Sequence, residues 1–510
     1  MRMTPVAPTT FVPTVPKSLS ERLVWREGSF HASEELKGDM DLDALFARCA
    51  KDAEWVTVPC VWYPPRSFEN EFGIRFNTKE SRVNATVDYI INLLKHAKKL
   101  KVSDIHITYF GPYTSIDFRR MGLLQPYQTL NGVEGLGVIH ALFQSGISQG
   151  ESTFSPYVRS DGRIADRQYL PEGVFAVRMH SEPIQSPLIA DPGCFVALRL
   201  LFDATAAQGT LESRVASLGF TPSQQNLIRS FTERSGLTFI AGATGHGKST
   251  LLKNVMEAMA EYQPTKNYMT QEDPPEYTIL GTKQVRVVTT ASERARKEEL
   301  VDSIAGLMRS DPDVIMIGEI RYREMAEAAI TSALTGHSVW TTLHASSAFG
   351  IITRLRKMGV PLEDLCANGV LNGLIYQRLM PILCPECKKR LVENPDAISS
   401  NLWNRLNVLY RGEVEGIYVR GSGCQKCGQL GLDGLQVAAE IVPITSPLLD
   451  LLENGKGREA QRYWIDEMGG MTHVAHARQR IGAGQVDPAL AEERLGITLD
   501  YDIDLQGGKA

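Results

Sequence analysis

Apolar positions along the chain fall into stretches of different period. Between residues 83 and 100 they recur every three to four places, with Val87, Ile90, Ile91, Leu94 and Ala97 on one side, which predicts a helix. Short β-type runs follow at 102–107, 115–119, 173–180 and 194–202, and the polar stretch 159–163 reads as a turn between them. Half-buried strands of this kind build an antiparallel sheet, so 83–203 is expected to be one α+β domain. Upstream, 35–49 has helical spacing (Leu36, Met40, Leu42, Leu45, Phe46) interrupted by Gly38, 55–62 is strand-like, and Pro64 to Arg66 is a turn. Residues 1–80 are expected to form an extension or small subdomain, opening with a Pro- and Thr-rich disordered arm over 1–17.

The pattern then changes. A small, polar linker is expected over 204–217. From 218 to 380, apolar runs alternate with helical spacings, the signature of a parallel sheet covered by helices. Residues 381–436 hold two cysteine pairs. From 437 to 510 the expectation is a mostly helical region, with Leu448, Leu449, Leu451 and Leu452, then 473–481 and 489–495, as its helices and a frayed end at 507–510.

In the middle of this, the run 237–241 leads into Gly242-Ala243-Thr244-Gly245-His246-Gly247-Lys248-Ser249-Thr250, and 251–260 continues with helical spacing. Strand, glycine-rich turn and helix is the setting of a phosphate-binding loop. Backbone N–H groups and the helix N-terminus face phosphate oxygens, Lys248 is expected on the β- and γ-phosphates, and Ser249 on Mg²⁺. Such a site needs a carboxylate on the strand beside the loop's own strand. The apolar run ending Gly318-Glu319-Ile320-Arg321 supplies Glu319, with glycine where aspartate is usual. Glu272 ends another run, and His337 and His344 bracket a third as candidate sensors of the γ-phosphate state or of a neighbouring subunit.

Composition narrows the class. Of 510 residues, 43% are hydrophobic and 22% charged, with a net charge of −5, so bulk charge does not favour nucleic acid. No apolar run reaches the length of a membrane span, and the N-terminus has no secretory h-region, which together lead to the expectation of a cytoplasmic protein. Lys95, Lys98, Lys99 and Lys101 read as the solvated end of a helix, an anionic membrane surface being the alternative. Cys49, Cys60, Cys194 and Cys366 are scattered, whereas Cys384/Cys387 and Cys424/Cys427 form two C-x-x-C units 36 residues apart. Four thiolates suit a closed tetrahedral Zn²⁺ site.

With these residues in view, a resemblance emerges. "EDPPEY", "DPDVIMIGEIR" and "TGHSVWTTLHASSA", with the phosphate loop, resemble the Asp box, Walker B, His box and Walker A of the type II secretion and type IV pilus ATPases, of GspE and PilB type. "SDIHI", "RSDGRI", "VRMH", "ALRLL" and "GLDGLQVAAEIV" extend it over about 83–500. The resemblance implies a RecA-like P-loop ATPase domain with a PAS-like α+β N-terminal domain, a tetracysteine zinc element and a helical tail. It also implies a homohexamer that hydrolyses Mg²⁺-ATP and works on a polytopic inner-membrane platform protein, without direct nucleic-acid binding. It carries nucleotide and catalytic roles onto Lys248, Ser249, Glu272, Glu319 and His344. Arg178 and Arg199 map to arginines that reach the phosphates, and Arg309 and Arg321 are further candidates. The cysteine pairs point to an assembly rather than a retraction motor, and the short N-terminal region to the thin-pilus branch of conjugative plasmids. Two departures, Tyr322 and Gly434 to Val437, mark a divergent branch. The competing expectations are a conjugative or type IVB secretion ATPase, a RecA-type nucleic-acid motor and a non-hydrolysing regulator.

Overall fold

The computed structural model describes residues 13, 15, 19, 22–26, 29–52, 58–64, 67, 79–144, 148–150, 158–189, 192–202, 209–273, 275–287 and 293–503. The expected arm and frayed end lie almost wholly outside them; of the expected linker only 204–208 do, and its second half is not a linker but the helix Leu211–Leu218, capped by Thr210 Oγ1 accepting from Ser213 N. Three sheets carry the architecture. The first is small: strands Leu23–Arg26, Ser29–Ser33 and Cys60–Tyr63 pair, with helix Met40–Asp52 against them. The helix expected over 35–49 is broken at Gly38, whose φ of 87° lies in the left-handed region, so a short turn at Glu34–Leu36 precedes the helix proper.

The second sheet has seven antiparallel strands in the order Leu123–Asn131, Tyr113–Arg120, Val102–Tyr109, Gly193–Phe202, Val174–Ile184, Ser160–Ile164 and Ser148–Gly150. Along Tyr113–Arg120 every second side chain is buried, so one face is packed and the other is freer for chemistry. Helices Lys79–Lys99 and Gly132–Gln144 pack on the buried face through Ile90, Leu94, Ile139 and Leu142. Residues 160–164, expected as a turn around Asp161-Gly162, are a strand instead. Pairing with Val174–Ile184 supplies the backbone bonds that override the local turn preference of those two residues.

The third sheet also has seven strands: Lys283–Arg286, Tyr268–Glu272, Val314–Ile317, Ser338–Leu343, Gly236–Ala241, Leu371–Leu383 and Leu432–Pro443. All neighbours run parallel except the last. The three central strands are buried at every position, as a parallel sheet covered on both faces requires. Helices close both faces around two cores, one holding Phe239, Ile304 and Ala329, the other Leu251, Met256 and Trp340. Two expectations are corrected here. Residues 437–443 are strand rather than helix, and the C-terminal helices begin at Ser446. The strands beside the phosphate-loop strand are Ser338–Leu343 and Leu371–Leu383, and Val314–Ile317 lies one place further out, beyond Ser338–Leu343. Among the described residues no helix is long and apolar enough to cross a membrane.

Candidate nucleotide site and tetracysteine cluster

The strands of an open parallel sheet deliver their C-terminal ends to a common crevice, and the predicted residues collect there. Residues 242–247 curl between Ala241 and the helix Lys248–Tyr262. Gly247 has φ 76°, and a Cβ on Gly242 would lie 2.6 Å from Gln377 O, so neither position takes a side chain without strain. His246 fixes the loop to the next strand. Leu379 N donates to His246 Nδ1 at 2.9 Å, and Gln377 Nε2 to His246 O at 2.7 Å. Burial, reinforced by Arg378, Arg494 and Lys248, pulls the His246 pKa down to about 4, so the ring stays a neutral acceptor. Lys248 is buried and folds back into the loop, donating to Gly242 O at 3.0 Å and Ala243 O at 3.1 Å. Its pKa is lowered by burial against the pull of Glu319 and Glu276. Thr244 and Gly245 are exposed at the loop's crest, and Ser249 and Thr250 are half-buried in the first helical turn. The Tyr277 and Thr250 side chains share a hydrogen bond.

Glu319 follows strand Val314–Ile317. One carboxylate oxygen lies 2.8 Å from His344 Nε2, and the other accepts from Arg321 Nε at 2.7 Å. His344 Nδ1 lies 3.1 Å from Gly242 O. The topology is the reason: Ser338–Leu343 stands between the other two strands, so the histidine at its end touches both. His337 sits at the other end of that strand, with Nδ1 2.9 Å from Ser332 O and from Thr335 Oγ1, away from the site. Arg309 is also distant, exposed beside the N-terminal ends of the strands. Glu272 is buried, accepting from Thr270 Oγ1 at 2.9 Å and Gln284 Nε2 at 2.8 Å. Burial raises its carboxyl pKa. The glycine in place of aspartate has a packing counterpart: a Cβ at Gly318 would lie 3.3 Å from Gln271 O and 3.5 Å from Glu272 Cγ.

The N-terminal sheet contributes arginines. Arg199 is paired in register with Arg178, and Arg178 with Arg163, so the three guanidinium stems share one face across three strands. Arg199 donates to Asp104 Oδ1 at 2.8 Å, and its pKa is governed first by burial, overcome by Asp104 and then Glu276 and Tyr277, to a net rise. Glu276 and Tyr277 directly follow the Glu272 strand, so this face stands over the nucleotide crevice. Arg163 and Asp104 are absent from the residues that the sequence alone points to. The signal for Arg163 is the arginine of "RSDGRI", visible only once that stretch is recognised as a strand, and that for Asp104 is the aspartate of "SDIHI".

Cys384, Cys387, Cys424 and Cys427 bring their sulfurs within 4.8 Å of one another. The Sγ–Sγ distances are 3.7 Å (Cys384–Cys424), 3.9 Å (Cys387–Cys427) and 3.8 Å (Cys424–Cys427). A tetrahedral ion with bonds of ~2.3 Å to sulfur needs edges of ~3.8 Å, so the donor set fits a metal. Cys427 Sγ also accepts from Cys424 N at 3.2 Å and Gly431 N at 3.1 Å. Cys49, Cys60, Cys194 and Cys366 lie apart from this cluster.

The model of the Type II/IV secretion system protein family matches residues 79–493. The chain belongs to that family. It is 31% identical over 391 residues to the type II secretion system ATPase E of Vibrio cholerae, covering 76% of this chain and 71% of that one. It is 30% identical over 376 residues to the type IV pilus assembly ATPase PilB of Thermus thermophilus, covering 73% and 39%. The fold matches that of the Legionella pneumophila ATPase DotB, with TM-score 0.55, 19% identity, and coverage of 80% of this chain and 95% of that one. This secretion ATPase therefore hydrolyses ATP as its family does.

Proposed function

We propose that this secretion ATPase is a cytoplasmic, hexameric motor that couples ATP hydrolysis to assembly of a type IV pilus or a type II secretion pseudopilus. The observation that carries the reading is the Glu319–His344–Gly242 chain of contacts, which wires a carboxylate to the phosphate loop. In this reading the loop amides from Gly242 to Thr250 and Lys248 bind the triphosphate, and Glu319 orients the attacking water, with His344 holding it in place. Glu272 is a second carboxylate at the crevice. Ser249 would hold Mg²⁺, which neutralises phosphate charge when bound. Arg178 and Arg199, joined by Arg163, offset charge that develops on the transferred phosphoryl group.

The ion of the tetracysteine cluster is zinc in this reading, because four thiolates at tetrahedral spacing suit it. Force would pass to a polytopic inner-membrane platform protein, which also accounts for peripheral membrane association. Relatedness to both a type II secretion ATPase and PilB supports an assembly motor without separating the two systems. The thin-pilus assignment is the finer form of the proposal. Disrupting the gene in its own cells and restoring it as wild type or Glu319→Gln tests the reading. Filament assembly or secretion should return with the first only, and its return with both would contradict the proposal.

A further inference from the structure

The tip of one hairpin of the antiparallel sheet, Arg120-Met121-Gly122 between strands Tyr113–Arg120 and Leu123–Asn131, touches the C-terminal part of the chain, beside an ion pair at 3.9 Å between exposed Lys101 and half-buried Asp433. The tip enters a notch built from the tetracysteine segment and the helix Pro488–Leu495. Arg120 is only 8% exposed and has three well-placed acceptors: Nε donates to Leu100 O at 3.0 Å, Nη1 to Gly428 O at 3.1 Å and Nη2 to Cys427 O at 3.3 Å. Two of the three belong to a metal-ligand residue and its neighbour. Met121, with φ 49°, turns the chain so that its carbonyl accepts from Arg494 Nη2 at 3.2 Å. Met121 and Leu123 pack on Leu383, Leu430 and Leu432. A Cβ on Gly428, whose φ is 56°, would crowd this arginine at 3.0 Å from Arg120 Nη2.

A buried guanidinium facing only carbonyls is costly unless negative charge is close. Four thiolates around a divalent ion carry about two net negative charges, and Cys427 is one of them. The carbonyls of Cys427 and Gly428 also keep their directions only while the knuckle is folded around its ion, because the segment from Cys424 to Leu432 is mostly turns.

We propose that the metal-bound cysteine cluster is the receptor of an interdomain clasp, in which Arg120 is a positioning residue that holds the N-terminal sheet, and with it Arg178 and Arg199, over the nucleotide crevice. The catalytic consequence rests on the functional reading above; the clasp itself does not. Removing Arg120 or the ion loosens the same hairpin tip, although the tip lies in a different sheet from all four cysteines.

The test uses the full-length, metal-loaded chain as wild type, Arg120→Ala and Arg120→Lys, with hydrogen exchange, metal content and steady-state kinetics on each. Arg120→Ala should keep one ion per chain and its melting temperature within a few degrees. Its exchange should rise about tenfold at 119–124 and 427–432, while kcat falls several-fold and KM changes little. Arg120→Lys should recover part of both, and chelation of the wild type should raise exchange at 119–124. Unchanged exchange at 119–124 in Arg120→Ala, or after chelation, overturns the clasp. Raised exchange with wild-type kcat overturns the positioning role. A wild type without turnover counts against the functional reading instead, and exchange alone then decides on the clasp.

Discussion

Glu319 Oε1 lies 2.8 Å from His344 Nε2, and the other nitrogen of that ring lies 3.1 Å from the carbonyl of Gly242, the first residue of the phosphate loop. A change in the loop's backbone therefore moves the histidine, and the histidine moves the carboxylate proposed to orient water. His344→Ala should leave nucleotide affinity within about threefold of wild type and lower kcat by about 100-fold, the cost of a misplaced catalytic group. Equilibrium binding of a fluorescent ATP analogue beside steady-state turnover checks both. A large loss of affinity with kcat retained would mean that His344 serves the loop rather than Glu319.

The arginine row predicts a non-additive response. Arg199 is held by Asp104 and paired across the strands with Arg178, so the two act as a unit and their losses should not add. Arg199→Ala and Arg178→Ala should each reduce kcat by about 100-fold or more with small changes in KM, and the double variant should be little worse than either. Single and double variants measured under saturating ATP read this directly.

Acid should destabilise the fold through two imidazoles, half-buried His246 and buried His476. His246 and His476 have folded pKa values of about 4 and about 3, against 6.5 in the open chain, both lowered first by burial. His476 Nδ1 accepts from Ala439 N at 3.1 Å, which needs the neutral ring. Above pH 6.5 neither state binds the extra proton and these groups contribute nothing to the pH dependence. As pH falls below 6.5 the unfolded chain takes protons that the folded chain refuses. Stability drops by up to about 1.4 kcal/mol per pH unit for each ring, ending near the folded values. Denaturation midpoints between pH 7.5 and pH 4.5 should fall with pH. His476→Asn, which keeps an acceptor but has no titrating ring, should flatten the slope.

Metal removal should unfold a segment, not the whole chain. The knuckle Cys424 to Gly431 is held by bonds to Cys427 Sγ, to which the proposed ion would add its own. Cys427→Ser should lower metal content from one ion per chain and lower the melting temperature, while nucleotide affinity changes by less than about threefold, because the phosphate loop sits in another part of the sheet. Elemental analysis, calorimetry and nucleotide binding on the one variant measure all three.

Much of the site is legible in the sequence, because its chemistry is written in short, local signals. The phosphate loop, Glu319, His344 and the cysteine pairs each stand in contiguous motifs. The rest depends on non-local pairing. Residues 160–164 look like a turn because Asp161-Gly162 is a turn dipeptide, and only the partner strand Val174–Ile184 makes them extended. Without that pairing, Arg163 has no place beside Arg178. Residues 437–443 mislead for the same reason. Val437, Ala438 and Ala439 suit a helix locally, but pairing with Leu371–Leu383 draws them into the sheet. Local patterns do not encode the order of the strands either, so His337 and His344 look equivalent although they stand at opposite ends of one strand.

Glu319 stands in this proposal as the carboxylate of an ATP-driven ring. The most direct measurement is turnover of purified wild type beside Glu319→Gln, with size-exclusion light scattering on both in ATP. The wild type should hydrolyse ATP and form a six-subunit ring in nucleotide, and the variant should bind without turnover. Equal hydrolysis by the two proteins would contradict the assignment of Glu319, and a wild type that stays monomeric and inactive would contradict the motor.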